Sequence, residues 1–88
     1  MDMKQIGRNI AALRKGNGFT QESLAERLSV TPQAVSKWET GAGLPEASLL
    51  IGLAGLLHVS VDEILRPDVP ANVISSFIER NLAGLDGV

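Results

Sequence analysis

The chain has 88 residues, 44% of them hydrophobic, which is enough for one small domain whose single core is only marginally sufficient and would benefit from a partner subunit. It contains no cysteine and one histidine, which excludes a disulfide framework, a cysteine-based metal site and a site that needs two histidines. A formal net charge of −2 is unfavourable for contact with a polyanion.

The first predicted element is an amphipathic helix from about Met3 to Lys15. Its apolar side chains recur at three- and four-residue intervals and therefore share one face: Ile6, Ile10 and Leu13. Glycine and asparagine tolerate the left-handed conformation that closes a helix, so the run 16–18 predicts its end.

Two short helices, residues 21–28 and 32–39, follow. The Thr20 hydroxyl can cap the free N–H groups of the first, and Thr31 can do the same for the second. Pro32 then occupies the first helical position, where a missing N–H costs nothing. These local signals predict both helix starts.

The connection between these helices is short, since only Ser29 and Val30 lie between the end of the first helix and Thr31, the cap of the second. They must therefore cross steeply, and Ala25 is small enough to allow a close approach, although alanine is also simply a good helix former. Apolar residues on both sides of the turn predict a shared core: Leu24, Leu28, Val30, Val35 and Trp38. The outer face of the second helix is polar: Gln33, Ser36, Lys37 and Thr40. Such side chains hydrogen-bond base edges and phosphate oxygens, so this helix suits a DNA major groove.

Two further helices complete the predicted all-α domain, residues 1–66. Pro45 is predicted to start the fourth helix, whose inward residues are Leu50, Leu53, Ala54 and Leu57. Ser60 and Glu63 have capping-box spacing and predict a short fifth helix from Val61 to Leu65.

The outer face of the fourth helix is unusual because it carries small and apolar residues where charges are normal: Ala47, Ser48, Leu49, Gly52 and Gly55. This surface suits close contact with another helix. Alternatively, the helix merely tolerates two glycines, at about 1 kcal/mol each relative to alanine. Both interpretations stay open.

The remaining residues, 67–88, are predicted to form a C-terminal extension. Pro67 and Pro70 indicate a linker, and an amphipathic helix follows at about 70–82. Its stripe is strongly apolar: Val73, Ile74, Phe77, Ile78 and Leu82. This stripe can fold back on its own domain or meet a second subunit, and we favour a dimer interface.

A spaced set of residues carries a family resemblance: Gln21, Ala25, Val30, Val35, the runs 36–41 and 59–65, Leu44-Pro45, Leu50-Ile51 and Leu53-Ala54, with Ile6, Ile10, Leu13 and Arg14 upstream. Over about residues 3 to 65 the chain resembles the Cro and phage-repressor type (XRE-like) of helix-turn-helix transcriptional regulators. The resemblance implies a compact, lambda-repressor-like five-helix domain, with the third helix lying in the major groove.

The resemblance also implies residue roles. The base-reading positions are Thr31, Pro32, Gln33, Ala34 and Lys37, and the phosphate-contacting positions are Thr20, Gln21, Ser36 and Thr40. Gln33 can bind adenine, Lys37 can bind guanine, and the Ala34 methyl can touch a thymine methyl. Ordinary solvated helix residues are the alternative for Gln33, Lys37 and Gln21.

Two matched positions are interpreted structurally: Arg14 and Glu39 as an ion pair that joins the first helix to the end of the third. The chain departs from the family's pattern at Ser29, where a glycine is common, so a positive φ there implies strain of about 1 kcal/mol. Residues 42–43, Ala-Gly, remove a possible phosphate contact after the third helix. His58 replaces a helix-ending glycine, and we assign it no function.

Charge is distributed unevenly along the chain. Residues 1–45 hold six Lys and Arg against four Asp and Glu, a net charge of +2, whereas residues 46–88 hold two against six, a net charge of −4. The predicted DNA face lies in the less acidic half. The small number of cations predicts weak binding by one subunit.

No catalytic, cofactor-binding or metal-binding constellation occurs, so we expect no enzyme and no cofactor. No segment approaches bilayer-spanning length, and we expect a soluble, cytoplasmic protein of prokaryotic or phage origin with no membrane partner. The favoured function is a homodimeric, sequence-specific repressor of a palindromic double-stranded DNA operator. The alternative is a protein-interaction module on the same scaffold, antitoxin-like or anti-repressor-like, that binds a regulatory protein partner.

Overall fold

The computed structural model describes residues 2–66, which form five α-helices and no strand. The helices are α1 Met3–Gly16, α2 Gln21–Leu28, α3 Pro32–Thr40, α4 Ala47–Leu57 and α5 Val61–Leu65. The predicted all-α class and five-helix domain are confirmed. The predicted C-terminal helix at about 70–82 and its apolar stripe lie outside the described residues. None of the described helices combines the length and the hydrophobicity that a membrane span requires.

Polar side chains cap the helix starts as the sequence predicts. The Thr20 hydroxyl accepts from the Ser23 N–H at 2.9 Å, and the Thr31 hydroxyl accepts from the Ala34 N–H at 3.2 Å. Ser60 and Glu63 form a reciprocal capping box at α5. Each bond satisfies a backbone donor that has no partner within its own helix.

The start of α4 was predicted wrongly. The helix begins at Ala47, two residues after Pro45, and Glu46 takes the extended conformation of an N-cap without a side-chain cap bond. Pro45 is buried instead of opening the helix. A proline fixes φ in extended segments as well as in helices, so local chemistry could not separate these alternatives.

Two helices end on a left-handed residue other than glycine. Ser29 ends α2 with φ 58°, and His58 ends α4 with φ 59°. The positive φ anticipated for Ser29 is therefore present, at a cost of about 1 kcal/mol. His58 is the C-cap of α4, the position that the sequence gives it.

One hydrophobic core joins all five helices. Its buried members are Ile6, Ile10, Leu13, Leu24, Ala25, Val35, Trp38, Leu53, Ala54, Leu57 and Ile64. The predicted core residues Leu28, Val30 and Leu50 pack against it and are half-buried. The apolar stripes read from the sequence therefore meet at a single interior.

A close approach between α1 and α3 occurs at Gly7, a residue to which the sequence assigns no role. A Cβ placed on Gly7 would lie 2.4 Å from the Trp38 carbonyl oxygen and 2.6 Å from that of Glu39. The α1 backbone thus packs directly on the last turn of α3. Ala25, the small residue that the sequence singles out, is also buried.

A buried asparagine fixes the end of α5 to α1. The Asn9 Nδ2 donates to the carbonyl oxygens of Ile64 and Arg66, both at 2.8 Å, and the Asn9 Oδ1 accepts from Gln5 Nε2 at 3.0 Å. Asn9 is 1% exposed, so these bonds compensate the cost of burying its amide.

Candidate nucleic-acid interface

The surface of α3 opposite the core carries the predicted base-reading side chains. Thr31, Pro32, Gln33 and Lys37 are exposed, whereas Val35 and Trp38 on the other side are buried. Gln33 and Lys37 are four residues apart and therefore lie on one side of the helix. The helix presents one amide and one cation to the outside, with no acidic side chain between them.

Two predicted contact residues on α3 are less accessible than the sequence suggests. Ala34 is half-buried and packs against the core, and Ser36 is also half-buried. Residues 34 and 36 flank the core residue Val35, so their side chains lie near the boundary between the interior and the surface. Ala34 and Ser36 are therefore at the edge of the exposed row rather than in its centre.

The threonines predicted to bind phosphate already donate their hydroxyl protons within the protein. The Thr20 hydroxyl donates to Ser23 Oγ at 3.1 Å, and the Thr40 hydroxyl donates to the Lys37 carbonyl oxygen at 3.2 Å. Phosphate oxygens are acceptors, so each hydroxyl must rotate before it can bind one. Both threonines are exposed, which leaves room for that rotation.

The predicted ion pair between Arg14 and Glu39 is present and bidentate. Arg14 Nε lies 2.6 Å from Glu39 Oε2, and Arg14 Nη2 donates to Glu39 Oε1 at 3.1 Å. A third donor, Arg14 Nη1, bonds the Phe19 carbonyl oxygen at 2.9 Å. The two side chains are only 10% and 7% exposed, so the pair is shielded from water. It joins the end of α3 to α1 and to Phe19, which lies in the loop just before α2.

Gln21 joins this pair, which the sequence did not predict. Its Nε2 donates to Glu39 Oε1 at 2.9 Å, so the first residue of α2 is bonded to the last turn of α3. The short turn between α2 and α3 predicts a steep crossing of these helices, and this is the sequence signal that could have indicated a contact between Gln21 and Glu39. The second Nε2 hydrogen and the free backbone N–H groups of the first α2 turn are donors suited to a phosphate.

Within residues 2–66, no group of three or more His, Asp or Glu side chains is placed to hold a metal ion. The candidate interface contains hydrogen-bond donors and acceptors, the Lys37 ammonium and the N-termini of α2 and α3. Such groups recognise a ligand by direct contact.

Comparison with known proteins adds to this geometry. A family profile described as helix-turn-helix matches residues 10–64. The HTH-type transcriptional activator BcrR of Enterococcus faecalis is 39% identical over 61 residues, which are 69% of this chain and 30% of BcrR. The uncharacterized HTH-type transcriptional regulator YazB of Bacillus subtilis (strain 168) is 35% identical over 68 residues, which are 77% of this chain and 99% of YazB.

The fold is also similar to a solved structure. The crystal structure of the clp gene regulator ClgR from C. glutamicum matches with a TM-score of 0.65 and 28% sequence identity, covering 74% of this chain and 84% of that chain. The chain spans less than a third of BcrR but nearly all of YazB. The matched region includes α2 and α3 with their turn.

Proposed function

The chain belongs to the Cro and phage-repressor type (XRE-like) family of helix-turn-helix transcriptional regulators, and on this premise we propose that it is a homodimeric repressor that reads the DNA major groove with α3. The single observation that carries the proposal is the exposed row of Gln33 and Lys37 on a helix whose opposite side is buried. The family and its relatives are named as transcriptional regulators, which confirms the expectation that the chain is not an enzyme.

Base reading is assigned to the exposed row. Gln33 has both a donor and an acceptor and can bind adenine N6 and N7 together, whereas Lys37 offers donors that suit guanine O6 and N7. Thr31 and Pro32 are exposed at the start of α3, which is the end that enters the groove in this family. Ala34 is half-buried at the edge of the row, and we give it at most a thymine methyl contact.

Docking is assigned to the network around Glu39. Its carboxylate accepts from Arg14 and from Gln21, so α1, α2 and α3 are fixed relative to one another near the proposed phosphate contacts. A rigid arrangement keeps α3 in register when the α2 N-terminus binds the DNA backbone. Gln21 therefore has two roles in this proposal, one in the ion-pair network and one at phosphate.

Dimerisation is proposed for two reasons. A palindromic operator requires two recognition helices about 34 Å apart, and two weak DNA faces bind better than one. The residues proposed for the interface are those of the apolar sequence stripe: Val73, Ile74, Phe77, Ile78 and Leu82. They lie outside the described residues, so the support comes from their helical spacing alone.

Repression is proposed because it requires only that the protein occupies the DNA at a promoter. A protein bound over a promoter blocks the polymerase without any further contact surface. BcrR is named an activator, but the comparison covers 30% of it, so the activity of the whole protein does not transfer. A promoter reporter carrying the selected site distinguishes the two directions: a fall in expression supports repression, and a rise contradicts it.

Selection of binding sites from a random duplex pool tests the DNA-reading proposal. We expect a two-fold-related consensus for the wild-type protein and loss of selectivity in Gln33→Ala. Ser48→Ala is the matched control, because it removes an exposed polar side chain from α4 instead of α3. Equal and weak binding of every sequence by the wild-type protein would contradict the proposal.

One observation favours a second candidate, a protein-interaction module on the same scaffold. Ile51 is 67% exposed on α4, and the nearby Gly52 and Gly55 are also exposed; a Cβ on Gly55 would meet no atom within 4 Å. An apolar side chain beside two glycines suits a partner helix. If the selection gives no consensus while Ile51→Glu abolishes binding of a partner protein, this second function replaces the first.

A further inference from the structure

The charge of α1 differs from that of the rest of the chain. Its sequence, Met3–Gly16, contains four of the eight Lys and Arg residues and no Asp or Glu. Arg14 is neutralised by Glu39. The other three, Lys4, Arg8 and Lys15, are exposed, and none has a carboxylate partner within residues 2–66. A net charge of −2 for the whole chain conceals this local excess of positive charge.

The three cations share one side of α1. A helix turns by about 100° per residue, so Lys4, Arg8 and Lys15 fall within about 40°, roughly a ninth of its circumference. Gly7 and Arg14 occupy the adjacent strip, which contacts the end of α3. Beyond that strip lie the buried side chains Ile6, Ile10 and Leu13. The cationic side is therefore separated from the core by the α1–α3 contact.

On α3, too, the exposed polar side chains lie on the side of the helix opposite the buried ones. Its core side chains, Val35 and Trp38, face the interior shared with α1, and Gln33 and Lys37 face outward. The cations of α1 and the proposed base-reading row of α3 are therefore both exposed, each on the side of its helix that is opposite the core.

Lys4 lies beside the C-terminal end of α3. A Cβ placed on Gly41, the C-cap of α3, would lie 2.9 Å from Lys4 Cγ and 3.0 Å from Lys4 Cα. The residues that follow, Ala42 and Gly43, carry no charge. The carbonyl end of a helix repels phosphate, so an anionic backbone passing this end needs a nearby cation. Lys4 supplies that cation from α1.

We infer that Lys4, Arg8 and Lys15 form a phosphate-binding stripe that contacts the backbone of the same DNA duplex whose bases α3 reads. This inference rests on the proposed function and extends it to α1. Arg8 donates one hydrogen bond to Gln5 Oε1 at 2.9 Å, which holds its guanidinium on the helix surface and leaves further donors for phosphate. The Asp2 carboxylate at this end accepts the Lys4 N–H as the N-cap of α1.

The stripe predicts a specific salt dependence. Each phosphate contact contributes about 0.9 to the slope of log affinity against log salt concentration. Loss of one contact therefore reduces the fall in affinity over a fourfold rise in salt by a factor of about 3.5. Base-reading contacts contribute little to this slope, so the stripe and the α3 row are separable by experiment.

The test measures binding by fluorescence anisotropy at several salt concentrations, with a selected duplex and a scrambled duplex. The variants are Lys4→Gln, Arg8→Gln and Lys15→Gln, since glutamine keeps part of the aliphatic stem and removes the charge. Arg27→Gln on α2 is the matched control, an exposed cation off the stripe. Thermal melts by circular dichroism establish that each variant is folded.

We expect each stripe variant to weaken binding to both duplexes by the same factor, to reduce the salt slope by about 0.9 and to keep the ratio between the duplexes. Arg27→Gln is expected to leave the slope unchanged. If all four variants keep the wild-type slope while the wild-type protein still prefers the selected duplex, the stripe is refuted and the proposed function stands. If the wild-type protein shows no preference, both fail.

Discussion

Replacing Gly7 by alanine sets two physical effects against each other and tests the contact that positions α3. Alanine is the better helix former, which by itself stabilises an exposed helix by about 1 kcal/mol. The structure predicts the opposite sign, because the new Cβ would lie 2.4 Å from one backbone carbonyl oxygen and 2.6 Å from another. Ordinary contact begins near 3.4 Å, so α1 must move away from α3 by about 1 Å.

The magnitude follows from what the methyl group meets. Overpacking costs about 1–3 kcal/mol, and the upper part of that range applies because backbone carbonyls cannot rotate away as side chains do. After the helix-propensity gain is subtracted, we expect Gly7→Ala to lower the free energy of unfolding by about 2 kcal/mol. The strain is concentrated at the Trp38 and Glu39 carbonyls.

Gly55→Ala is the matched control. Gly55 also lies in a helix, but a Cβ there meets no atom within 4 Å. We expect the free energy of unfolding of this variant to rise by about 1 kcal/mol. Urea titrations at one protein concentration, followed by the fluorescence of the single, buried Trp38, give both values. A Gly7→Ala variant at least as stable as the wild type would refute the direct packing of α1 on α3.

Three further substitutions test other contacts. Glu39→Gln leaves the buried Arg14 guanidinium beside a neutral amide, so we expect the free energy of unfolding from urea titrations to fall by about 3 kcal/mol or more. A fall of less than about 1 kcal/mol would mean that the pair is solvated. Asn9→Leu removes the donor to the Ile64 carbonyl, and a loss of about 1–3 kcal/mol is expected, with faster hydrogen exchange in α5; unchanged exchange would contradict the anchoring role. Ser29→Gly relieves a positive φ, so we expect a slightly higher melting temperature and a gain of less than about 1 kcal/mol in the free energy of unfolding. A lower melting temperature would contradict strain at this residue.

Local sequence signals were sufficient to predict the starts of α2, α3 and α5. Thr20, Thr31 and Ser60 each cap the helix that the sequence assigns to them, because a cap depends on residues only three positions apart. The α4 start failed at Pro45 because proline serves an extended segment equally well. The core residues were recognised from helical spacing, since burial follows the apolar stripe.

Contacts between distant residues were harder to predict. The ion pair of Arg14 and Glu39 was anticipated only through the family resemblance, and the bond from Gln21 to Glu39 was not anticipated at all. Gly7 was missed because a glycine within a helix gives no sign of what its missing side chain leaves room for. The stripe on α1 likewise required the placement of Lys4 beside Gly41. Helical spacing describes one element, whereas the site depends on how three elements meet.

A modified operator tests most directly whether Gln33 reads an adenine in the major groove. Each adenine of the selected site is replaced in turn by 7-deazaadenine, which removes the N7 acceptor, and affinities are measured for the wild-type protein and for Gln33→Ala. We predict that one position per half-site costs the wild-type protein about 1–3 kcal/mol, roughly 5- to 150-fold in affinity, and costs Gln33→Ala nothing. If every replacement affects both proteins equally, Gln33 does not read a base and the account of α3 as the reading helix is contradicted.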